Sequence, residues 1–357
     1  MNEPVTIRQV AAAAGVSPAT VSRVLSGSPR VDAGLAARTL AAVDQLGYRA
    51  NRVAQALRTR STGTVGMVVP NIANPFFPIV IQAVEKELRQ HGARLLLCDS
   101  GDDVAEEADL ISSLLDHRID GILLSPCDRR ASQDALRRAA AQVPVVQVDR
   151  FALKDLDYVG VHQEDAMGLV VAHLIEQSCR TFTYVTSNLA ASTAAERHRA
   201  YVRAVRDIDS YSERRVHEGD HSLAWGQEAA RQILEEGDLP DAIVCASDLV
   251  AVGVLDRLRG LGVDVPNDVL VTGFDATVLA RVAWPSLTSV RQPLEEIGKL
   301  AVQVVLETER SSRVGRTWLL PAELVIGDST KKIHELPSQA RSKKSGKKSI
   351  RQAVPKS

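Results

Sequence analysis

Several things are scarce or missing in this chain of 357 residues, and each shortage narrows what it can be. Its four cysteines, Cys98, Cys127, Cys179 and Cys245, are scattered and form no Cys-x-x-Cys, which predicts reduced thiols rather than bridges or metal ligands. No apolar run approaches the ~18 residues of a membrane span. Met1-Asn2-Glu3-Pro4 has none of the basic and apolar regions of a secretion signal, so a cytoplasmic protein is expected. No Gly-x-Gly-x-x-Gly follows a strand, and there is no Walker loop and no Gly-x-Ser-x-Gly elbow. An NAD enzyme or a hydrolase would lack its usual mark, so neither a cofactor nor catalysis is expected. His162 and His221 have no close partners in sequence that would make them metal ligands. Aromatic residues are only 4% of the chain, which makes the adjacent Phe76 and Phe77 conspicuous.

The net charge of −1 conceals a partition. Residues 1–62 hold eight arginines, no lysine and three acids, a balance of +5. Residues 331–357 hold nine Lys or Arg and one acid, a balance of +8, which leaves −14 on the 268 residues between. A basic head on an acidic body suits a protein that meets nucleic acid at one end and repels it elsewhere. The Lys- and Ser-rich tail 331–357 is expected to be disordered.

What is present begins at Thr6. Thr6 and Gln9 have the spacing of a capping box. Ile7, Val10, Ala11 and Ala14 then make one apolar helical face, ended at Gly15. Ser17 caps a second helix whose first position is Pro18. Val21, Val24 and Leu25 are its predicted inner side, with Ala19, Ser22 and Arg23 outward and Thr20 on the flank. Two short helices around a Gly-containing turn make a helix-turn-helix, whose second helix enters the major groove. Arg23 is placed to pair with a guanine edge, and Ser17, Thr20 and Ser22 suit phosphates. A third helix is capped by Asp32, with Leu35, Thr39, Val43 and Leu46 inward, and ends at Gly47-Tyr48. The segment Asn51–Arg58 is too short for a stable lone helix. It should order against a twofold mate on DNA, making Leu57 a candidate minor-groove wedge. The alternative is a linker with an incidental Leu.

Residues 6–58 resemble the head and hinge of the LacI/GalR family of transcription regulators. The matching strings are Ala14-Gly15-Val16-Ser17, Thr20-Val21-Ser22-Arg23-Val24-Leu25, Leu46-Gly47-Tyr48-Arg49 and Leu57-Arg58-Thr59. The resemblance extends more weakly to about residue 328. It implies DNA contact by Thr6, Pro18, Ala19, Tyr48, Asn51 and Ala54 as well. Pro18 and Ala19 stand where some members carry large base-reading side chains, Ala50 where Pro is common and Leu35 where Thr is usual.

From Thr64, strand-like apolar runs at 64–69, 93–98, 121–124, 143–148, 182–186, 242–245 and 269–273 alternate with helical patterns. Buried parallel strands give such runs, and the alternation predicts doubly wound α/β layers, two sheets at this length. The expected fold class is a small all-α helix-turn-helix head plus an α/β body of two doubly wound parallel-sheet subdomains. The resemblance implies a periplasmic-binding-protein-like body with three crossovers, near His162, Arg291 and Leu320. The expected domains are a head at 1–49, a hinge at 50–62 and an effector-binding and dimerisation domain at 63–330. Within the last, one subdomain spans about 63–161 plus 291–320, the other 162–290 plus 321–330.

Ligands on open α/β sheets bind beyond the carboxyl ends of strands. That rule selects Asn74, Phe76 and Phe77 after the first strand, Asp149 after Val145–Val148, and Asp275 after the run that ends at Gly273. Phe76 and Phe77 are placed to stack on a ring; the alternative for Phe77 is core at the start of a helix. The two aspartates either accept ligand hydroxyls or cap the next helix. The resemblance implies an effector role for Arg197, in Ala195-Glu196-Arg197-His198-Arg199-Ala200-Tyr201; otherwise it is one more exposed Arg. It also points to His162, His221 and Ser247, with Asp248 as a helix cap. The family often has Asp where His162 stands and an aromatic near His221, which implies an unusual ligand or a weakened pocket.

The expected function is a homodimeric transcription regulator, a repressor, on a near-palindromic double-stranded operator. A small sugar or sugar derivative in the cleft, with a nucleoside or purine as the alternative, would control it through a coupling of ~1–3 kcal/mol. No leucine heptads that would build a tetramer occur near the C-terminus. The rival is a cytosolic solute-binding or sensor protein without operator specificity, against which the head counts.

Overall fold

The computed structural model describes residues 5–25, 31–48, 61–206, 208, 215–307 and 315–331. The head is three helices, Ile7–Ala14, Pro18–Leu25 and Ala33–Leu46. The capping box forms, with the Thr6 amide donating to Gln9 Oε1 at 2.7 Å and the Gln9 amide to Thr6 Oγ1 at 3.4 Å. Gly15 and Gly47 end the first and third helices at φ 64° and 61°, a left-handed turn that glycine adopts without steric cost. Ser17 Oγ accepts from the Thr20 amide at 3.1 Å, and Asp32 accepts from Gly34 and Leu35. Val10, Ala11, Ala14, Val21 and Ala42 make the head's centre. Val24 and Leu35, expected inside, are half-buried, as is Ser22, expected outside. A centre rich in alanine brings the helices close and leaves the longer side chains at its margin.

In the body, β1 (Thr64–Val69), β2 (Arg94–Asp99), β3 (Gly121–Leu124), β4 (Val145–Val148) and β5 (Asp157–Val161) form one sheet. β6 (Phe182–Ser187), β7 (Val216–Gly219), β8 (Ala242–Cys245), β9 (Leu270–Asp275) and β10 (Thr288–Arg291) belong to another. Then β11 (Thr317–Leu320) returns to the first sheet and β12 (Glu323–Val325) to the second. The orders are β11-β5-β4-β3-β1-β2 and β12-β10-β9-β8-β6-β7. Every pairing is parallel except β10 with β12. Central strands such as β3, β4 and β8 are buried throughout, because helices cover both faces.

The chain passes between sheets after Val161, after Arg291 and after Leu320. The helix Leu294–Leu306, which follows β10 of the second sheet, packs back on the first, with Ile297, Ala301 and Val302 beside Val80 and Val84 of the helix Phe76–Gln90. Two layered units therefore share one chain that crosses three times, and the carboxyl ends of β1, β4 and β9 meet at their junction.

Candidate functional site

Asp149 ends β4 at φ 64° and Asp275 ends β9 at φ 104°. Positive φ is uncommon for a residue with a side chain, and Asp is among those that tolerate it; such conformations concentrate at ligand sites. Both carboxylates line one cavity with Asn74, Phe76, Phe77, Arg197 and His221. Seven of the nine effector candidates are thus brought together. The cavity is narrow, about 20 Å³, room for one water. Contacts between the two units hold it so: Asn74 Nδ2 to His221 Nε2 at 3.1 Å, and the Phe151 amide to Ser192 Oγ at 2.9 Å.

Arg197 sits on the helix Ser192–Val205 and is buried. Its guanidinium lies 3.6 Å over the Phe274 ring. Nε donates to Gln163 Oε1 at 2.7 Å, Nη1 donates to the Ala246 carbonyl at 2.8 Å, and Nη2 stands 3.8 Å from Asp275 Oδ1. A stacked, doubly bonded guanidinium is a fixed donor rather than a solvated charge. Gln292 Nε2 donates to Asp275 Oδ1 at 2.7 Å. Asp149 is 6% exposed, and among the described residues no group donates to its carboxylate. It is an acceptor facing the cavity with its capacity unused.

Burial raises the carboxyls of Asp149 and Asp275, Asp275 well above the usual range, while Arg197 opposes the shift in both. Burial, then Arg150 and Arg197, push His221 down to about 3, so its ring is neutral. The Phe76 amide donates to Asn74 Oδ1 at 3.1 Å, which turns the Asn74 nitrogen towards His221. His221 Nε2 therefore accepts, and the ring proton sits on Nδ1. Carboxylates, a fixed guanidinium, a neutral imidazole and two rings together suit vicinal hydroxyls on a small apolar-faced molecule.

Two candidates lie elsewhere. His162 caps the helix Gln163–Glu176, accepting at Nδ1 from the Asp165 amide at 3.3 Å, and lines a different cavity. Its ring therefore points along its own helix start, away from Arg197. Ser247 is 1% exposed and its hydroxyl accepts from the Val250 amide, so it is the helix cap that Asp248 was expected to be. Asp248 instead accepts from the Thr277 amide and hydroxyl at 2.6 and 2.9 Å and from Ser289 Oγ at 2.6 Å, tying three segments beneath Asp275. Phe76 and Phe77 are core at the helix start and also border the cavity. Each is 2% exposed, and the two rings meet edge to face at 5.0 Å. Neither Asp149 nor Asp275 caps a helix. Sequence reasoning missed Gln163, Phe274 and Gln292; a buried arginine's need for partners signals such residues only once Arg197 is known to be buried.

On the head, Pro18, Ala19 and Arg23 are exposed on the second helix, and Thr20 and Ser22 are half-buried. Thr6 and Ser17 are exposed caps, and half-buried Tyr48 packs against the head's core. Asn51, Ala54 and Leu57 lie outside the described residues. Of the cysteines, Cys98 is half-buried and the others buried, all as free thiols. Burial first, then Glu107, pushes the Cys127 thiol up to about 12, which makes it unreactive.

A model of the bacterial regulatory proteins of the lacI family matches residues 6–51, and one of the periplasmic-binding-protein-like domain matches residues 171–330. Catabolite control protein A of Priestia megaterium is 32% identical over 336 residues, covering 92% of this chain and 99% of its own. A lac repressor dimer bound to operator and the anti-inducer ONPF matches with a TM-score of 0.81 at 26% identity, over 92% of this chain and 99% of that one. A complex of the transcriptional regulator CelR with cellobiose matches at 0.69 and 29%, over 91% and 99%.

Proposed function

The chain belongs to the LacI family of bacterial transcription regulators, and from that premise we propose that it is a cytoplasmic, non-catalytic repressor that grips a near-palindromic operator as a homodimer and is controlled by a small polyhydroxylated effector in its cleft. The observation that carries the effector class is Asp149, a buried carboxylate with no donor, facing the same cavity as Asp275 and fixed Arg197. A polyol supplies the missing donors to Asp149, and its ring oxygens take the guanidinium. The cavity's narrowness means that the two units part to admit the effector, which is how binding reaches the head. Relatives in complex with cellobiose and with the anti-inducer ONPF support a sugar or sugar derivative. In the head, Arg23 is the base reader, Ser17, Pro18, Ala19, Thr20 and Ser22 sit against the duplex, Thr6, Tyr48, Asn51 and Ala54 support that contact, and Leu57 is the wedge.

The test is selection of genomic fragments by the purified chain, followed by sequencing. A near-palindromic motif is expected, and the genes beside it identify the effector's chemical class. Fragments retained at low salt without any common motif, with and without metabolite extract, would leave only the sensor reading. Arg23→Ala is expected to relax one position of each half-site, at ~1–3 kcal/mol of discrimination; an unchanged motif removes its assigned role.

A further inference from the structure

A second cavity, of about 420 Å³, lies where the chain first crosses between the two units. That volume falls in the range of small-ligand sites, ~300–1,000 Å³. Its walls come from both units. Phe151, Leu153, Tyr158 and Leu319 give an apolar floor, and Gln163 with the helix Ser192–Val205 closes the other side. Its rim is cationic. Arg203 pairs with Glu164, and Arg199 with Glu196 at 3.6 Å. Lys154, also on the rim, makes no ion pair among the described residues. Lysine and arginine outnumber carboxylates by one in this lining, which His162 also joins, beside an apolar floor.

Two residues of this wall hold the effector cleft. Gln163 Oε1 accepts from Arg197 Nε at 2.7 Å, while Gln163 Nε2 has no partner although the residue is only 3% exposed. A buried amide nitrogen without an acceptor is costly, so the Gln163 side chain is held here by its bond to Arg197 alone and is free to shift if the wall moves. Tyr158 lines the same cavity, and its hydroxyl donates to the Asp149 carbonyl at 2.9 Å. Gly160 leaves room for that ring; a Cβ there would collide with the Tyr158 hydroxyl. Arg197 and Asp149, the two polar anchors of the cleft, are each positioned by a side chain of the second cavity.

We propose that this cavity is a second ligand site, separate from the effector cleft, for a small amphipathic monoanion: an apolar ring or chain bearing a carboxylate. The excess of one lysine or arginine over the carboxylates matches one negative charge, whereas a phosphate dianion would stand against Glu164 and Glu196. Occupancy packs against Gln163 and spans both units, so it alters the setting of Arg197 and with it DNA affinity.

The experiment is isothermal titration of the full chain with benzoate, 3-phenylpropionate and 4-phenylbutyrate, with 4-phenylbutanol as the uncharged counterpart. One saturable site per chain is expected for at least one carboxylate, with the alcohol at least tenfold weaker. Lys154→Glu, at an exposed position, should weaken the carboxylate at least tenfold without moving the melting temperature; Leu319→Asp, on an edge strand, is the second variant. Absence of saturable binding by all three carboxylates overturns the site, and so does equal affinity in wild type and both variants. Equal binding of acid and alcohol overturns the anion assignment. The coupling is read as at least a threefold change in affinity for the selected operator on adding the carboxylate, lost in Lys154→Glu; binding with unchanged operator affinity overturns it. The titrations use neither DNA nor cleft effector, so their failure is distinct from failure of the regulator reading.

Discussion

Asp248 accepts three hydrogen bonds and still has its carboxyl pushed up to about 6, because burial outweighs them. A free Asp titrates near ~3.9. Between those values the folded chain binds a proton that the unfolded chain has released. The stabilisation is full below the lower value, is lost as pH rises through the window, and is gone above about 6. Asp149 and Asp275, also raised, act in the same direction. Relative to Asp248→Asn, wild type is therefore expected to lose stability as pH rises from about 4 to about 6, by at most ~1.4 kcal/mol per pH unit. His221, pushed down to about 3, adds stability with rising pH over that range in both proteins alike, so the difference between the two profiles is the readout. Parallel melting-temperature profiles would show that the group is not protonated in the fold. At this scale the sequence was informative wherever a rule tied position to role. Asp149, Asp275 and Arg197 lie where strand ends and the family pattern pointed. Ser247 takes the cap expected of Asp248 because either can cap a helix, and only the approach of Thr277 and Ser289, distant in sequence, gives Asp248 its different role.

Among elements, the helices Leu223–Glu235 and Asp248–Gly260 approach closely. A Cβ on Gly226 would run into the Val250 carbonyl, and one on Gly253 into the Leu223 carbonyl. Neither glycine has a positive φ, so closeness, not backbone conformation, demands them. Gly253→Ala gains ~1 kcal/mol of helix propensity but forces the helices apart, an overpacking cost of ~1–3 kcal/mol or more. A lower melting temperature, by ~2–4 °C per kcal/mol net, is the expected outcome; a raised one would mean that the pair separates freely. Strand legibility followed composition more than position: β2 is an edge yet reads as an apolar run, whereas β5, interior but with the sequence Asp-Tyr-Val-Gly-Val, gives no such run. β1, β3 and β8 are interior and read as unbroken apolar runs. β7, β11 and β12 are short edges or flanks with partly exposed patterns and went unread. β10 went unread for another reason: Thr288 and Ser289 are fully buried, their hydroxyls paired with Thr330 and Asp248 at 2.6 Å. Composition alone gives no sign that buried hydroxyls have found partners.

In the whole molecule, two features link the sites to an assembly on DNA. One is apolar exposure on the second unit. Val278, Val282 and Trp284 are 52%, 70% and 79% exposed within seven consecutive residues. Large apolar groups gathered at one place on a surface mark an interaction site, and in a homodimer they are where a second copy would seat. Trp284→Glu is expected to shift sedimentation from dimer to monomer and to weaken operator binding in step; an intact dimer would place the interface elsewhere. The other feature is the entry to the body. Asp120, just before β3, accepts from Ser61 Oγ and the Gly63 amide at 2.7 Å and from the Thr62 amide at 2.9 Å. One carboxylate thus clamps the chain where it leaves the basic segment that joins the head, and the Asp120 amide donates to the Thr64 carbonyl at 2.7 Å. These bonds tie Ser61, Thr62 and Gly63 to the first unit, which makes Asp120 the residue to test for communication between body and head. Asp120→Ala leaves the sheet's apolar pairing in place, so folding should persist, while the segment's anchorage is lost. Operator affinity, measured by fluorescence anisotropy on the selected site, should fall by a factor within the ~5–150-fold that allosteric couplings span. Unchanged affinity and unchanged effector response would mean that head and body communicate by another route.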